Sequence, residues 1–285
     1  MRPMPITRPR AFVGACAPIA LAAALAAGSV AAEPQEVSNS AAPPATSEPQ
    51  QQPVSPPKGS AEAIALLERI ETALGGRAAI EAIPGVRMQM TVRTGEDDPA
   101  PTVVSVVRAV PFAARILQSG GGRPDGEIGF DGEVGWMSDG RGGVLELEAE
   151  HARGMMQGAD LQAMLRELRG RYERFDLDPP SEFRGKQALV LRCVEEDAGE
   201  GDSVRVFVNP ATALPMGLES VFEGDSRDVN RVVVDGWRDE GGVKVFSKMT
   251  IDRGPVRSII TFDRIAFEAI PAGEIRSPLG ETKSD

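Results

Sequence analysis

The chain has 285 residues, 41% of them hydrophobic, and its 31 basic and 42 acidic side chains give a net charge of −11. This acidic excess argues against binding to nucleic acid and to anionic lipid surfaces, because both repel a negatively charged protein. With one histidine and two cysteines in the whole chain, the usual zinc sites and histidine-based catalytic triads lack side chains. We therefore expect a non-enzymatic protein without a metal or other cofactor.

Residues 1–32 have the pattern of a secretory signal peptide. Three arginines lie among the first ten residues, an Ala- and Leu-rich apolar run covers 11–28, and Val30-Ala31-Ala32 is a small-residue cleavage site. Cleavage before Glu33 predicts export to the periplasm and leaves 28 basic against 42 acidic side chains, a net charge of −14. Because the apolar run approaches the length of a membrane span, an uncleaved anchor is the alternative.

A disordered tether is predicted over 33–59. This segment is rich in Pro, Gln, Ser and Ala and has almost no large apolar side chains, so it cannot bury enough surface to become ordered. One β-rich domain is predicted to follow over 60–280, with a short tail over 281–285.

The domain opens with helical patterns and then changes to the period of a strand. Ser60 is a candidate N-cap for a helix over Ala61–Leu74, and a shorter helical turn is predicted over Arg77–Ala82. From Val86 onwards, apolar and polar residues alternate, which predicts a strand with one buried face. The apolar residues of this strand are Val86, Met88, Met90 and Val92.

Closely spaced short strands make up most of the remaining chain. Gly-, Asp-, Asn- and Pro-containing turns separate them, which is typical of an antiparallel meander. The strand 102–110 is apolar on both faces, so its inward side stays open. Strands are predicted at 102–110, 112–116, 128–130, 135–138, 144–149, 181–195, 204–208, 216–222, 229–238, 243–251 and 256–267.

The stretch Gly154–Gly170 interrupts the strands with a helical pattern. Asp160 is a candidate N-cap and Gly170 a natural end, and the residues at helical spacing on the apolar face are Leu161, Met164, Leu165 and Leu168. The polar residues of the stretch are predicted on the opposite face, namely Gln162, Arg166, Glu167 and Arg169. The pattern does not distinguish a lid, a plug and an ordinary core helix.

Three motifs resemble the LolA/LolB-like superfamily of bacterial envelope proteins: Gly129–Gly140, Val206–Glu219 and Asp235–Ile251. The opening Ala73–Val92 and the close Phe262–Pro278 are similar to the two ends of such domains. The resemblance implies an α+β, mostly β fold, in which an unclosed antiparallel β-barrel or strongly curved sheet has helices covering its concave face. It also implies an apolar cavity between the sheet and the helices.

The resemblance further implies a function that involves no catalysed reaction. The first hypothesis is a periplasmic carrier or binding protein for lipids or lipidated proteins, and the alternative is an envelope sensor that holds a protein partner on the same scaffold. The family's lid-locking arginine has two candidates by position, Arg87 and Arg93. The residues expected to line the cavity are Met88, Met90, Val92, Ile116, Phe130, Trp136, Met156, Leu161, Met164, Leu165 and Leu168.

Overall fold

A computed structural model describes most of the chain after the predicted tether. The predicted signal peptide, nearly all of the tether and the tail lie outside the described residues. No helix within the described ranges is both long and apolar enough to cross a membrane. The described residues are 57–122, 124–138, 140–195, 203–221, 230–271 and 273–279.

Helices α1 (Ala61–Ala73) and α2 (Arg77–Glu81) confirm the two predicted at the start of the domain. The Ser60 hydroxyl accepts a hydrogen bond from the Ala63 N–H at 3.2 Å, so it caps α1 as predicted. The buried side chains of α1 recur at helical spacing and join the main core. These are Ala63, Leu66, Leu67 and Ile70.

The described residues form fourteen strands and three further short helices. The helices are α3 (Ala149–Gln157), α4 (Ala163–Arg166) and α5 (Leu168–Arg171). The strands are β1 (Lys58–Gly59), β2 (Gly85–Thr94), β3 (Thr102–Ala109), β4 (Ala113–Gly120), β5 (Gly126–Phe130), β6 (Gly135–Ser138), β7 (Val144–Leu147), β8 (Arg174–Phe183), β9 (Lys186–Val194), β10 (Ser203–Val208), β11 (Pro215–Val221), β12 (Asn230–Glu240), β13 (Val243–Arg253) and β14 (Val256–Phe267).

All fourteen strands belong to one open, curved sheet. Their order is β1-β8-β9-β10-β11-β12-β13-β14-β2-β3-β4-β5-β6-β7, so the two halves of the chain meet where β14 pairs with β2. Neighbouring strands are antiparallel except for β1, which runs parallel to β8. β1 and β7 stand at opposite ends of this order, which confirms the predicted unclosed, mostly antiparallel sheet with helices.

The two faces of the sheet bury different apolar residues. The inner face packs against α1, α3 and the turns of α4 and α5, and it holds the main core. On β12, Val232 and Val234 belong to this core, whereas Val233 joins a small cluster on the outer face. A second outer cluster packs Trp136 against Ala113 and Ile275. The alternation of strand side chains therefore fills both faces.

Two boundaries differ from the sequence predictions. Lys58 and Gly59, predicted in the tether, form β1, and Lys58 is paired with Glu173. The strand predicted over 181–195 is a hairpin of two strands, because Arg184 and Gly185 both adopt positive φ, 51° and 74°, and reverse the chain. The first half of β8 escaped prediction because its Asp and Pro residues obscure the alternation.

Candidate functional site

Residues 149–171, called the helical segment below, lie on the inner face as three short helices. The single helix predicted within Gly154–Gly170 is wrong. α3 ends at Gln157, and the Asp160 carboxylate then accepts hydrogen bonds from the N–H groups of Gln162 and Ala163 at 3.0 and 3.1 Å. Asp160 thus caps a turn as predicted. The break between α4 and α5 falls at Glu167, where φ is −110° and ψ is 37°.

Ten of the eleven residues predicted to line the cavity belong to the main core. None of them is more than 3% exposed, and the apolar side chains of the helical segment pack in the same cluster as those of β2, β4 and β5. In this conformation these side chains pack against one another and fill the space where the cavity was predicted. The ten are Met88, Met90, Val92, Ile116, Phe130, Met156, Leu161, Met164, Leu165 and Leu168.

Trp136 is the exception among the predicted lining residues. Its indole lies against Gly129, where an added Cβ would come within 2.2 Å of the ring, and its Nε1–H donates to Glu127 at 2.8 Å. The neighbouring Met137 packs on the main core, so Trp136 points to the outer face. Trp136 therefore lies on the other side of the sheet from the helical segment.

Four charged side chains join the helical segment to the sheet. The Asp160 carboxylate lies 2.5 Å from the Arg166 guanidinium and 3.2 Å from that of Arg108 on β3. Glu167 bridges the same two arginines at 3.0 and 3.1 Å. We call these four residues the buried ion cluster. Asp160 and Arg166 are almost completely removed from solvent, so the pairing is strong only while both partners stay in place.

The charges of the cluster stabilise each other. Burial alone would raise the pKa of the Asp160 carboxyl, but Arg166 and Arg108 outweigh burial and hold that pKa below its usual range. Burial would lower the pKa of Arg166, whereas Asp160 and Glu167 raise it. Among the described residues, Nε and Nη1 of Arg166 have no hydrogen-bond partner, and its guanidinium lies 5.4 Å from the ring centre of Phe267.

Gln162 provides a second polar connection to the sheet. Its side-chain Nε2 donates to the Phe246 carbonyl at 2.8 Å, and its Oε1 accepts from the Phe246 N–H at 3.1 Å. The ladder between β13 and β14 begins only at Lys248, so the amide completes the backbone pairing beyond the end of the ladder. Gln162 and Arg166, predicted on the face opposite the apolar side chains, are both buried, at most 4% exposed.

The arginine of the sheet that contacts the helical segment is Arg108, which is neither of the two candidates predicted from the sequence. Arg87 points away from the segment and binds Glu268 and Glu274 at 2.7 and 2.6 Å, while Arg93 is exposed. Arg108 continues the inward row of Val104 and Val106 on β3. The period of two would have identified it if the inward face of this strand had been known.

The described residues contain no group of three or more His, Cys, Asp or Glu side chains arranged to hold a metal ion. Cys193 is buried, and burial raises the pKa of its thiol, so it packs as a small apolar side chain. His151 is exposed on α3. The distinctive chemistry of the inner face is therefore an apolar core joined to a helical segment by buried charges.

Comparison with solved structures identifies the architecture. A LolA superfamily protein from Nitrosomonas europaea superposes with a TM-score of 0.53 at 13% identity, covering 75% of this chain and 97% of that one. A DUF1329 family protein from Desulfovibrio piger reaches a TM-score of 0.47 at 11% identity over 72% and 93% of the two chains. No protein-family model matches the sequence, and no curated protein matches it either. At these identities the likeness concerns the fold alone, and the chain has a LolA-like fold.

Proposed function

We propose that this protein, with its LolA-like fold, is a periplasmic carrier or binding protein that holds acyl chains of lipids or lipidated proteins beneath the helical segment. The observation that carries the proposal is the construction of the segment. It presents Met and Leu side chains to the inner face of an open sheet, yet it consists of short helices joined to that sheet by Arg108. Short helices with few internal hydrogen bonds move at a smaller cost than one long helix.

In the proposed mechanism, an acyl chain takes the place of apolar side chains of the helical segment on the inner face of the sheet. When the segment moves outwards, the space filled by Met164 and Leu165 becomes available to an acyl chain, which gains about 0.8 kcal/mol for each methylene that leaves water. Met side chains suit this role because they are flexible and adapt to irregular partners. Arg108 holds the closed conformation, since its two carboxylate contacts both lie in the moving segment.

The test combines binding of a fluorescent fatty acid with thermal melting. Met164→Glu or Leu165→Glu places a carboxylate where the acyl chain is to lie, so binding is lost while the domain stays folded. Met164→Ala costs less than the about 2–5 kcal/mol typical of a truncated core methionine, because a movable segment relaxes around the change. Leu177→Glu on β8 is the control, since Leu177 is exposed and lies outside the segment. Unfolding in step with loss of binding would make the segment ordinary core.

A second variant tests the closing role of Arg108 independently. Arg108→Gln removes both carboxylate contacts, so the open conformation becomes more populated and the apparent affinity for the fatty acid rises about fivefold. The matched control is Arg93→Gln, because Arg93 lies on the neighbouring strand but is exposed. Equal affinities for Arg108→Gln and wild type would contradict the proposed opening.

A separate surface favours the alternative of an envelope protein partner. β7 is the last strand at one end of the sheet, and its Val144 and Leu145 are 39% and 52% exposed. An edge strand offers its backbone to an extended segment of another protein. A photo-crosslinking residue at position 145, with position 177 as the control, tests this role in the envelope. A defined adduct at 145 that disappears in Val144→Pro supports strand pairing, and equal adducts at both positions contradict it.

A further inference from the structure

A cleft opens at the strand ends where β11 and β12 separate. Their ladder joins residues 217–220 to 230–233 and ends there, whereas β12 continues beside β13 as far as Glu240. The connection between β10 and β11 closes the other side and leaves a space of about 490 Å³. This volume falls within the range of small-molecule sites in proteins. We call it the end cleft.

One wall of the end cleft is apolar and partly aromatic, and polar residues line the rest. Phe183, Met216 and Val233 contribute side chains from the outer cluster. Trp237 lines the same space, and its indole is held in place by a 3.0 Å hydrogen bond from Nε1 to the Pro215 carbonyl and by edge contact with Phe246. A rigid apolar wall of this kind favours a flat or compact apolar group.

Two cations stand at the cleft, and both come from the hairpin of β8 and β9. Phe183 and Lys186 are directly opposite each other in the ladder, so their side chains share one face. Arg184 lies beside them and is 59% exposed, and its guanidinium is 3.8 Å from the Asp235 carboxylate, at the outer limit of an ion pair. Within the described residues no ion pair engages Lys186. On a chain with a net charge of −11, two weakly engaged cations form a local site for an anion.

The backbone of Arg184 gives independent support. Its φ of 51° is left-handed, and this two-residue turn usually has Asn, Asp or Gly at that position, because other side chains are strained there. An arginine in this position brings conformational strain without burying apolar surface. A role for its guanidinium at the cleft accounts for a residue that the turn itself does not favour.

We propose that the end cleft binds a small amphipathic anion. Its apolar body packs on Phe183, Met216 and Trp237, and its carboxylate, sulfonate or phosphate pairs with Arg184 and Lys186. This site is separate from the acyl site proposed above, because no residue of the helical segment lines it.

The experiment uses the full chain and the aromatic sulfonate 1-anilinonaphthalene-8-sulfonate as the probe. The chain has two tryptophans, so its NMR spectrum offers two indole N–H signals, and Trp237→Phe identifies the one from the cleft. Titration is expected to shift the Trp237 signal and to leave that of the buried Trp136 unchanged. A probe that shifts neither signal, or only that of Trp136, would overturn the proposal.

Substitutions of Arg184 and Lys186 test most directly whether the two cations bind the anionic group of the probe. Arg184→Asn is expected to weaken probe binding about tenfold and to leave the melting temperature equal or higher, because Asn tolerates the left-handed backbone. Lys186→Gln is expected to act in the same direction. Arg257→Gln, another exposed arginine, is the matched control and should bind like wild type. Unchanged affinity in Arg184→Asn would contradict the proposal.

Three further measurements distinguish which site and which kind of ligand account for the binding. The neutral analogue N-phenyl-1-naphthylamine should bind wild type and Arg184→Asn equally, because it lacks the anionic group. Met164→Glu should leave the Trp237 shift intact, so failure of the acyl site and failure of the end cleft are distinguishable. Phosphatidylglycerol vesicles should not displace the probe, and displacement by them would assign the cleft to a lipid head group instead of a free small anion.

Discussion

Asp160 combines two tasks that are usually divided between residues. One carboxylate oxygen caps the turn that starts α4, and the other accepts from Arg166 and Arg108. Because the side chain is fully buried, its charge is tolerated only with these partners. The local backbone of the helical segment and its attachment to β3 therefore depend on the same side chain.

Asp160→Asn is expected to lower the free energy of unfolding by about 3–5 kcal/mol at pH 7, because it leaves two arginines facing one carboxylate. The pKa of Asp160 is lowered in the folded state, so its stabilising contribution is fully present above the unfolded pKa of about 3.9 and is lost as pH falls below it. Urea unfolding of both proteins between pH 7 and pH 2.5 measures this difference.

The matched control for this substitution is Asp252→Asn, which breaks an exposed pair with Arg257. No measurable change in stability is expected, since exposed pairs are screened by solvent. A difference between wild type and Asp160→Asn that stays constant down to pH 2.5 would contradict the assignment of the effect to the ionised carboxylate.

The segment that follows β14 shows how a short element stabilises a sheet from outside. Ile275 is buried against Trp136, and Arg87 on β2 binds Glu274 through both terminal nitrogens at 2.6 and 3.0 Å. The same pairing lowers the pKa of Glu274. The end of the domain thus covers an apolar patch on the outer face, while the helical segment covers the inner face.

Truncation after Ala269 is expected to destabilise the domain by about 2–4 kcal/mol, the value of burying one or two large apolar side chains. It should also move the emission of Trp136 to longer wavelength, because the indole loses its cover. Truncation after Leu279 is the control and should change neither quantity. An unaltered melting temperature after the longer truncation would show that the segment contributes no packing energy.

In the molecule as a whole, distant parts of the chain meet at the edges of the sheet. β1 lies beside β8, and the Lys58 ammonium reaches Glu173. Deleting residues 33–56 is expected to leave the melting temperature unchanged, because the predicted tether has nothing to bury. Deleting 33–59 removes β1 as well and should lower the melting temperature. Equal melting temperatures for the two deletions would show that β1 adds no stability.

The local part of this architecture could be predicted from the sequence. Alternation identified the inner face of β2, and helical spacing with Ser60 identified α1, because each pattern depends only on neighbours within the same element. The same reasoning predicted the apolar face of the helical segment, from Leu161 to Leu168, all of which is buried. The motifs near Gly129 and Asp235 supported a LolA-like fold, which the structure confirms.

Tertiary structure decided which polar residues meet. Arg166 and Gln162 have the spacing of a solvated face, yet both are buried, because Asp160 and Glu167 pair with Arg166 and the Phe246 backbone binds the Gln162 amide. Arg108 is 52 residues from Asp160 along the chain, and no local period relates the two. The end cleft likewise exists only because β11 and β12 stop pairing where β12 continues beside β13. Periodicity shows which side of an element is apolar. The partners of a buried charge depend instead on which elements become neighbours in the folded protein.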